Sequence, residues 1–213
     1  MSDTTVIIKT IGRKSLKAAI ASAKREGFKP IVISDGVNCH SFGAKFVKLG
    51  RNWGWYGGMA ANVGAALAET EFITFLDDDD VFLPGAGDHI RAKLKSNPVV
   101  DVWIGGVRYG RDVKLCNTQT GEETYRGRDL AIFPERGICE GNVAMPTYRT
   151  HIFETLPYVN VVPDDIAHLT DLLHVKACAN KGYVVDWFEK ALYLVRPHVD
   201  DQRGLESING GGR

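Results

Sequence analysis

Short runs of β-branched and apolar residues alternate with stretches whose apolar positions return every three or four residues. Residues 4–10 (TTVIIKT) form the first such run and predict a buried strand. Ser15 is placed to cap a helix over 15–25, with Leu16, Ala19, Ile20 and Ala23 on one face and Gly27 ending it. Residues 30–34 predict a second strand, closed by Asp35-Gly36, and 46–49 a short third. A glycine-rich loop with two tryptophans follows (RNWGWYGG). Next come a helix of small residues over 59–69, a strand over 71–76, a helix over 87–95 and a strand over 99–104. The order β-α-β-β-α-β-α-β predicts an α/β fold built on an open, mostly parallel twisted sheet flanked by helices. Residues 105–146 are irregular and rich in Arg, Gly and Thr, as expected of segments covering a site. Residues 164–181 read as helix and 183–195 as two short strands. The tail SINGGGR is expected to fray.

One feature breaks this regularity. In FITFLDDDDVFLP, residues 72–84, a buried-type strand runs straight into four adjacent carboxylates. In open α/β sheets ligands bind beyond the carboxyl ends of strands. Alternate residues of an extended segment face the same way. Asp77 and Asp79 therefore converge, while Asp78 and Asp80 point elsewhere. Oxygen-only ligands select hard cations such as Mg²⁺, Mn²⁺ or Ca²⁺, and Mg²⁺-type ions leave positions for substrate phosphates. The spacing lacks the DxDxDG and terminal Glu of an EF-hand. A solvated acidic turn is the plain alternative. The buried-type strand before the cluster and the apolar VFLP after it favour the metal.

Composition bounds the rest. A chain of 213 residues, 44% hydrophobic and 24% charged, suits one globular domain over 1–213. Within it, 1–105 is expected to bind a nucleotide and 106–200 to form the acceptor and catalytic half, with 201–213 as a tail. Lys plus Arg balances Asp plus Glu at 26 each, so no global charge draws the chain to nucleic acid or an anionic membrane. Cys39, Cys116, Cys139 and Cys178 form no CxxC pair, which argues against a zinc ribbon and fits free thiols in a reducing compartment. Neither a signal peptide nor an apolar run of about 20 residues is present, so a soluble, cytoplasmic protein is expected. Neither GxGxxG after a strand nor GxxxxGK[ST] occurs, which excludes a Rossmann dinucleotide site and a P-loop.

Four ordered segments resemble family 2 glycosyltransferases of the GT-A fold. Lys9-Thr10-Ile11-Gly12-Arg13 stands where that family has P-T-Y-N-R, and Ile33-Ser34-Asp35-Gly36-Val37 where it has V-D-D-G-S. Ala60-Ala61-Asn62-Val63-Gly64 matches A-R-N-x-G, and Leu76-Asp77-Asp78-Asp79-Asp80 matches L-D-x-D-D. The resemblance covers the N-terminal half well and the C-terminal half loosely. It implies a Rossmann-like nucleotide-binding half and a more irregular acceptor half. It also implies a metal-dependent, inverting transfer from a nucleotide-diphosphate sugar, a UDP-sugar favoured, to a hydroxyl acceptor. Thr10, Arg13, Asp35, Asn62, Asp77 and Asp78 would then line the donor. Mn²⁺ or Mg²⁺ would sit on Asp77 and Asp79, with His198 of Arg196-Pro197-His198 as a further ligand. Counting back from Gly182-Tyr183 puts Thr170-Asp171 in the place of the family's E-D pair. Asp171 becomes the first candidate base, with Asp165 or Asp164 as alternatives that could equally cap a helix. Lys9 replaces the family's proline, Ile11 its aromatic residue and Ala61 its arginine. Arg13, Arg51 and Lys9 are candidates to replace the lost cation. Trp53, Trp55 and Tyr56 could stack on a base or sugar, or simply pack the loop.

Two other classes compete. A nucleotidyltransferase would carry a G-x-G-T-R-L-like loop where this chain has TIGRKS. A non-catalytic nucleotide-sugar-binding domain would lack a working base. The acceptor is open among a saccharide, a protein and a modified base in DNA. Basic groups at Arg91-Lys93-Lys95 and at Arg108-Arg111-Lys114-Arg126-Arg128 would meet a polyanion, although a solvated face is the preferred reading.

Overall fold

The computed structural model describes residues 4–54, 57–109, 113–116, 123–126, 131–132, 144–158 and 170–195. Strand β1 (Thr4–Thr10) leads into helix α1 (Leu16–Arg25), then β2 (Lys29–Ser34) and β3 (Lys45–Lys48). Helix α2 (Gly58–Ala66), β4 (Phe72–Asp77), the two-residue β5 (Val81–Phe82), α3 (Ala86–Ser96) and β6 (Val102–Tyr109) complete the first half. Strands β7 (Val113–Cys116) and β8 (Glu123–Arg126) form a separate hairpin-like pair, and β9 (Ala131–Ile132) joins β6. Strand β10 (Ala144–Arg149), the short α4 (Ile152–Thr155), α5 (Thr170–Asn180) and β11 (Val185–Val195) follow.

The main sheet runs β3-β2-β1-β4-β10-β6-β11-β5. Its first four strands are parallel, β10 is inserted antiparallel between β4 and β6, and β11 lies parallel to β6. Strands β1 and β4 are buried on both faces, which is why VIIKT and FITFL read as continuous apolar runs. Residue parity sorts the two cores. Val6 and Ile8 of β1 pack with α1 and α3, whereas Ile7 packs with α2, α4 and α5. The backbone of α2 approaches so closely that a Cβ on Gly64 would lie 2.3 Å from Ile7 Cγ2. Small residues along α2 are thus the condition for its seat on the sheet.

Three expectations need correction. Ser15 does occupy the N-cap of α1, but it acts through its backbone carbonyl, which accepts from Ala18 and Ala19, and not through a side-chain cap. The C-terminus follows the pattern: Gly27 at φ +79° lets its own N–H and that of Phe28 turn back to Lys24 and Ala23. Residues 185–195 form one strand and not two. Register shifts between Trp187 and Ala191 and between Ala191 and Tyr193 absorb the charged interruption at 189–190 without leaving the sheet. The expected strand over 99–104 begins at Val102 and extends to Tyr109.

Candidate functional site

The carboxyl ends of β1, β2 and β4 lie side by side, and the loops leaving them carry the chemistry. Lys9 and Asp77 are cross-strand partners in the parallel β1–β4 pair, so their side chains leave the same face. The Lys9 ammonium sits 3.0 Å from Asp77 Oδ1. Burial disfavours its charge, but Asp77, then Asp171 and Asp80, more than offset this and hold its pKa above the ordinary lysine value.

Beyond Asp77 the chain stops being extended. Asp78 and Asp79 form a turn, closed by the Asp80 N–H on the Asp77 carbonyl at 3.2 Å. This overturns the alternation expected for the run. Asp77, Asp79 and Asp80 each bring a carboxylate oxygen within 4.8 Å of the others. Asp80, expected to face away, joins the pair because the turn rotates it back. The three-carboxylate donor set fits a hard divalent cation. The nearby Lys9 and Arg13 cations already answer its negative charge, Arg13 Nη1 lying 3.7 Å from Asp79.

Asp78 leaves the opposite face, as expected, and organises the β1–α1 loop. Its carboxylate accepts from Thr10 Oγ1 at 2.5 Å, from the N–H of Ile11 at 3.1 Å and Arg13 at 3.3 Å, and from the Arg13 guanidinium. Asp78 is 1% exposed. The Arg13 pKa stands above its ordinary value because Asp78 and Asp79 outweigh the cost of burial. Asp35 plays the matching part on the next loop. Its two carboxylate oxygens accept the N–H groups of Trp53 and Gly54, each at 2.8 Å, and its own N–H bonds the Thr10 carbonyl. The Arg51 guanidinium covers the Trp53 ring at 3.8 Å.

Asp171, in the first turn of α5, accepts the Tyr158 hydroxyl at 2.8 Å. Tyr158 and α5 belong to the core that Ile7 enters, and Lys9, two residues on, leaves that same face, so Asp171 lies on the Asp77 side of the sheet. Asn62 clamps Tyr158 from α2, donating to its carbonyl at 3.1 Å and accepting its N–H at 2.8 Å. Tyr158 is fully buried, and burial followed by the Asp171 charge pushes its pKa well above the ordinary value. It therefore remains a proton donor to Asp171.

The sequence candidates thus fall into groups. Asp77 and Asp79 converge, Thr10 and Arg13 both bond Asp78, and Asp35 holds the tryptophan loop. Asn62 supports the segment that meets Asp171. Asp164, Asp165, His198, Trp55 and Tyr56 lie outside the described residues. His174 is stacked on Tyr158 in the core. Of the first basic group, Arg91 is engaged with Asp88 and the Glu26 carbonyl. Sequence reasoning missed Asp80 and the roles of Lys9 and Tyr158. The parity of Lys9 with Asp77 was available in principle, whereas nothing local marks Tyr158. A cavity of about 730 Å³ opens at the other end of β1 and β2, lined by Thr5, Phe28, Lys29 and Lys45, away from all these groups. Among the described residues, no helix is long and apolar enough to cross a membrane.

The glycosyl transferase family 2 model matches residues 5–155. No curated protein matches the chain in sequence. Among solved structures it is similar to S. aureus TarS 1-349, with a TM-score of 0.63 and 18% identity, covering 90% of this chain and 60% of that one. TarS 1-349 in complex with UDP-GlcNAc gives a TM-score of 0.59 at 16% identity, over 94% and 60% of the two chains. A CMP:2-keto-3-deoxy-manno-octonic acid synthetase complexed with CTP gives 0.55 at 16% identity, over 97% of each chain. This chain spans 60% of the length of the TarS 1-349 structure, and at these identities the likeness is one of fold. The family match runs from β1 to the end of α4 and includes the three converging carboxylates. The chain therefore belongs to glycosyl transferase family 2 and has the GT-A fold.

Proposed function

We propose that the chain transfers a sugar from a nucleotide-diphosphate sugar, a UDP-sugar first, to a hydroxyl acceptor with inversion at the anomeric carbon. The observation that carries this reading is the convergence of Asp77, Asp79 and Asp80 beside Lys9, on the side of the sheet that also holds Asp171. Those three aspartates would hold Mn²⁺ or Mg²⁺. Bound there, the ion stabilises negative charge on the departing nucleoside diphosphate. Asp78 and Asp35 fix the loops that flank the donor, with Thr10 and Arg13 held in place by Asp78. Asp171 takes the acceptor hydroxyl proton, kept in orientation by Tyr158. The UDP and UDP-GlcNAc complexes of TarS support the choice of nucleotide. His198 and Asp165 stay as further candidates for the metal and the base.

The fold likeness to the CTP-bound synthetase favours a second reading, nucleotidyl transfer. The two reactions release different products, a nucleoside diphosphate against pyrophosphate, so assaying both decides between them.

The direct test is a melting screen with UDP, GDP, CDP and dTDP, each with Mn²⁺, Mg²⁺ or EDTA. A ligand at 100 times its Kd stabilises the native state by about 2.7 kcal/mol. UDP with metal is expected to raise the midpoint, and EDTA or Asp79→Ala to remove the shift. Absence of a shift with every pair would sink the donor site.

A further inference from the structure

Lys9 stands beside the carboxylate cluster, on the face of the sheet that also holds Asp171. Its ammonium contacts Asp77 at 3.0 Å, and its side chain is 10% exposed against 45% for Asp77. Asp171 and Asp80 act on the same charge. The side chain has little freedom to swing away. Gly57, at the N-cap of α2 with φ +80°, packs so tightly over the stem that a Cβ there would lie 2.9 Å from Lys9 Cδ. The cross-strand register fixes the other end, because Lys9 and Asp77 are paired at the backbone as well as by charge.

A divalent cation joining Asp77, Asp79 and Asp80 would have to share Asp77 with this ammonium. Two like charges on one carboxylate repel, and more strongly in a partly buried site than in water. A diphosphate arriving with the cation brings the negative charge that removes the conflict. We propose that Lys9 is a built-in counter-ion that weakens the bare metal site, so that the divalent cation binds firmly only together with the nucleoside diphosphate. The inference rests on the donor site proposed above and adds an order of assembly to it. It assigns Lys9 a positioning role. Because coupling between two ligands is reciprocal, Lys9 also sets how far the metal strengthens nucleotide binding.

The experiment is a Mn²⁺ titration followed by electron paramagnetic resonance, without nucleotide and then with UDP. It uses the whole chain and the variants Lys9→Met, Lys9→Gln, Lys9→Arg and Asp79→Ala, each checked for folding by its melting transition. Lys9→Met and Lys9→Gln are expected to bind bare Mn²⁺ at least tenfold more tightly than the parent. The gain on adding UDP should shrink by the same factor, and Lys9→Arg should behave as the parent. Either neutral variant that folds is sufficient to decide. Unchanged or weaker bare Mn²⁺ binding in the neutral variants overturns the role of Lys9. If Asp79→Ala still loses the UDP-dependent Mn²⁺ signal in that case, the donor site stands and only Lys9 falls. Absence of Mn²⁺ binding in every protein, with or without UDP, sinks both.

Discussion

The Tyr158 hydroxyl donates to Asp171 Oδ1 at 2.8 Å, and Asn62 holds the Tyr158 backbone at both its N–H and its carbonyl. A carboxylate on the first turn of α5 is thereby oriented through a residue anchored to α2. Asp171→Asn keeps the shape but cannot accept a proton. It is expected to lower kcat by about 100-fold or more while leaving UDP binding intact. Tyr158→Phe should lower kcat by less, with an unchanged KM for donor, since it removes orientation and not the proposed base. Steady-state kinetics with separate nucleotide-binding measurements check both. An Asp171→Asn enzyme with parental kcat would move the base to another residue.

Gly64 meets Ile7 where α2 crosses β1. A Cβ at Gly64 would lie 2.3 Å from Ile7 Cγ2, and both residues are interior to their elements. Gly64→Ala is therefore expected to destabilise the fold by about 1–3 kcal/mol, the usual range for overpacking. Ile7→Ala alone leaves a cavity and also destabilises. The double variant should be more stable than the sum of the two losses predicts, because the new methyl fills the space that isoleucine vacates. Strict additivity in urea unfolding would mean that α2 simply shifts away.

The N-terminal half was legible because β1, β2 and β4 are buried on both faces and read as apolar runs, with Gly27 and Asp35-Gly36 marking turns. The site was legible only in part. Alternation along an extended chain brought out Asp77 and Asp79, but Asp80 joins them through a turn that four identical residues cannot announce. Lys9 reads as the loss of a proline and as one of three candidates for the missing cation, but its pairing with Asp77 depends on the register of β1 against β4, between segments 68 positions apart. Tyr158 reaches Asp171 through tertiary packing against Asn62, which no local pattern encodes. The single strand at 185–195 was hidden because register shifts let a charged interruption stay in the sheet.

Asp78 and Asp79 are neighbours with separable duties. Asp78 is buried and gathers Thr10, Ile11 and Arg13, whereas Asp79 stands with Asp77 and Asp80. Asp78→Ala leaves the largely buried Arg13 guanidinium without its principal partner and is expected to cost about 3 kcal/mol of stability. Asp79→Ala should change the melting point of the free protein far less, yet abolish the additional shift given by UDP with metal. Equal stability losses in the two variants would show that the run acts as one structural unit.

His174 is expected to make the fold sensitive to acid. It is 4% exposed, stacked 4.2 Å from Tyr158, with Nε2 2.8 Å from the Leu156 carbonyl. A carbonyl only accepts, so Nε2 carries the proton and Nδ1, 3.9 Å from Cys178 Sγ, is bare in the neutral ring. Burial lowers the pKa below the ordinary 6.5, against the opposing effects of the Leu156 bond and Asp171. Between the folded value and 6.5 the unfolded chain therefore binds more protons than the native one. This contribution is present in full above about pH 6.5 and is lost as pH falls through the folded pKa, with a slope of at most about 1.4 kcal/mol per pH unit. The Cys178 thiol, pushed up to about 12 by burial first and Asp101 second, stays protonated throughout and adds nothing to the slope. Urea unfolding between pH 7.5 and 5 should show falling stability, and His174→Gln should flatten the curve while lowering its plateau. A variant that keeps the parental slope would assign the acid sensitivity to other groups.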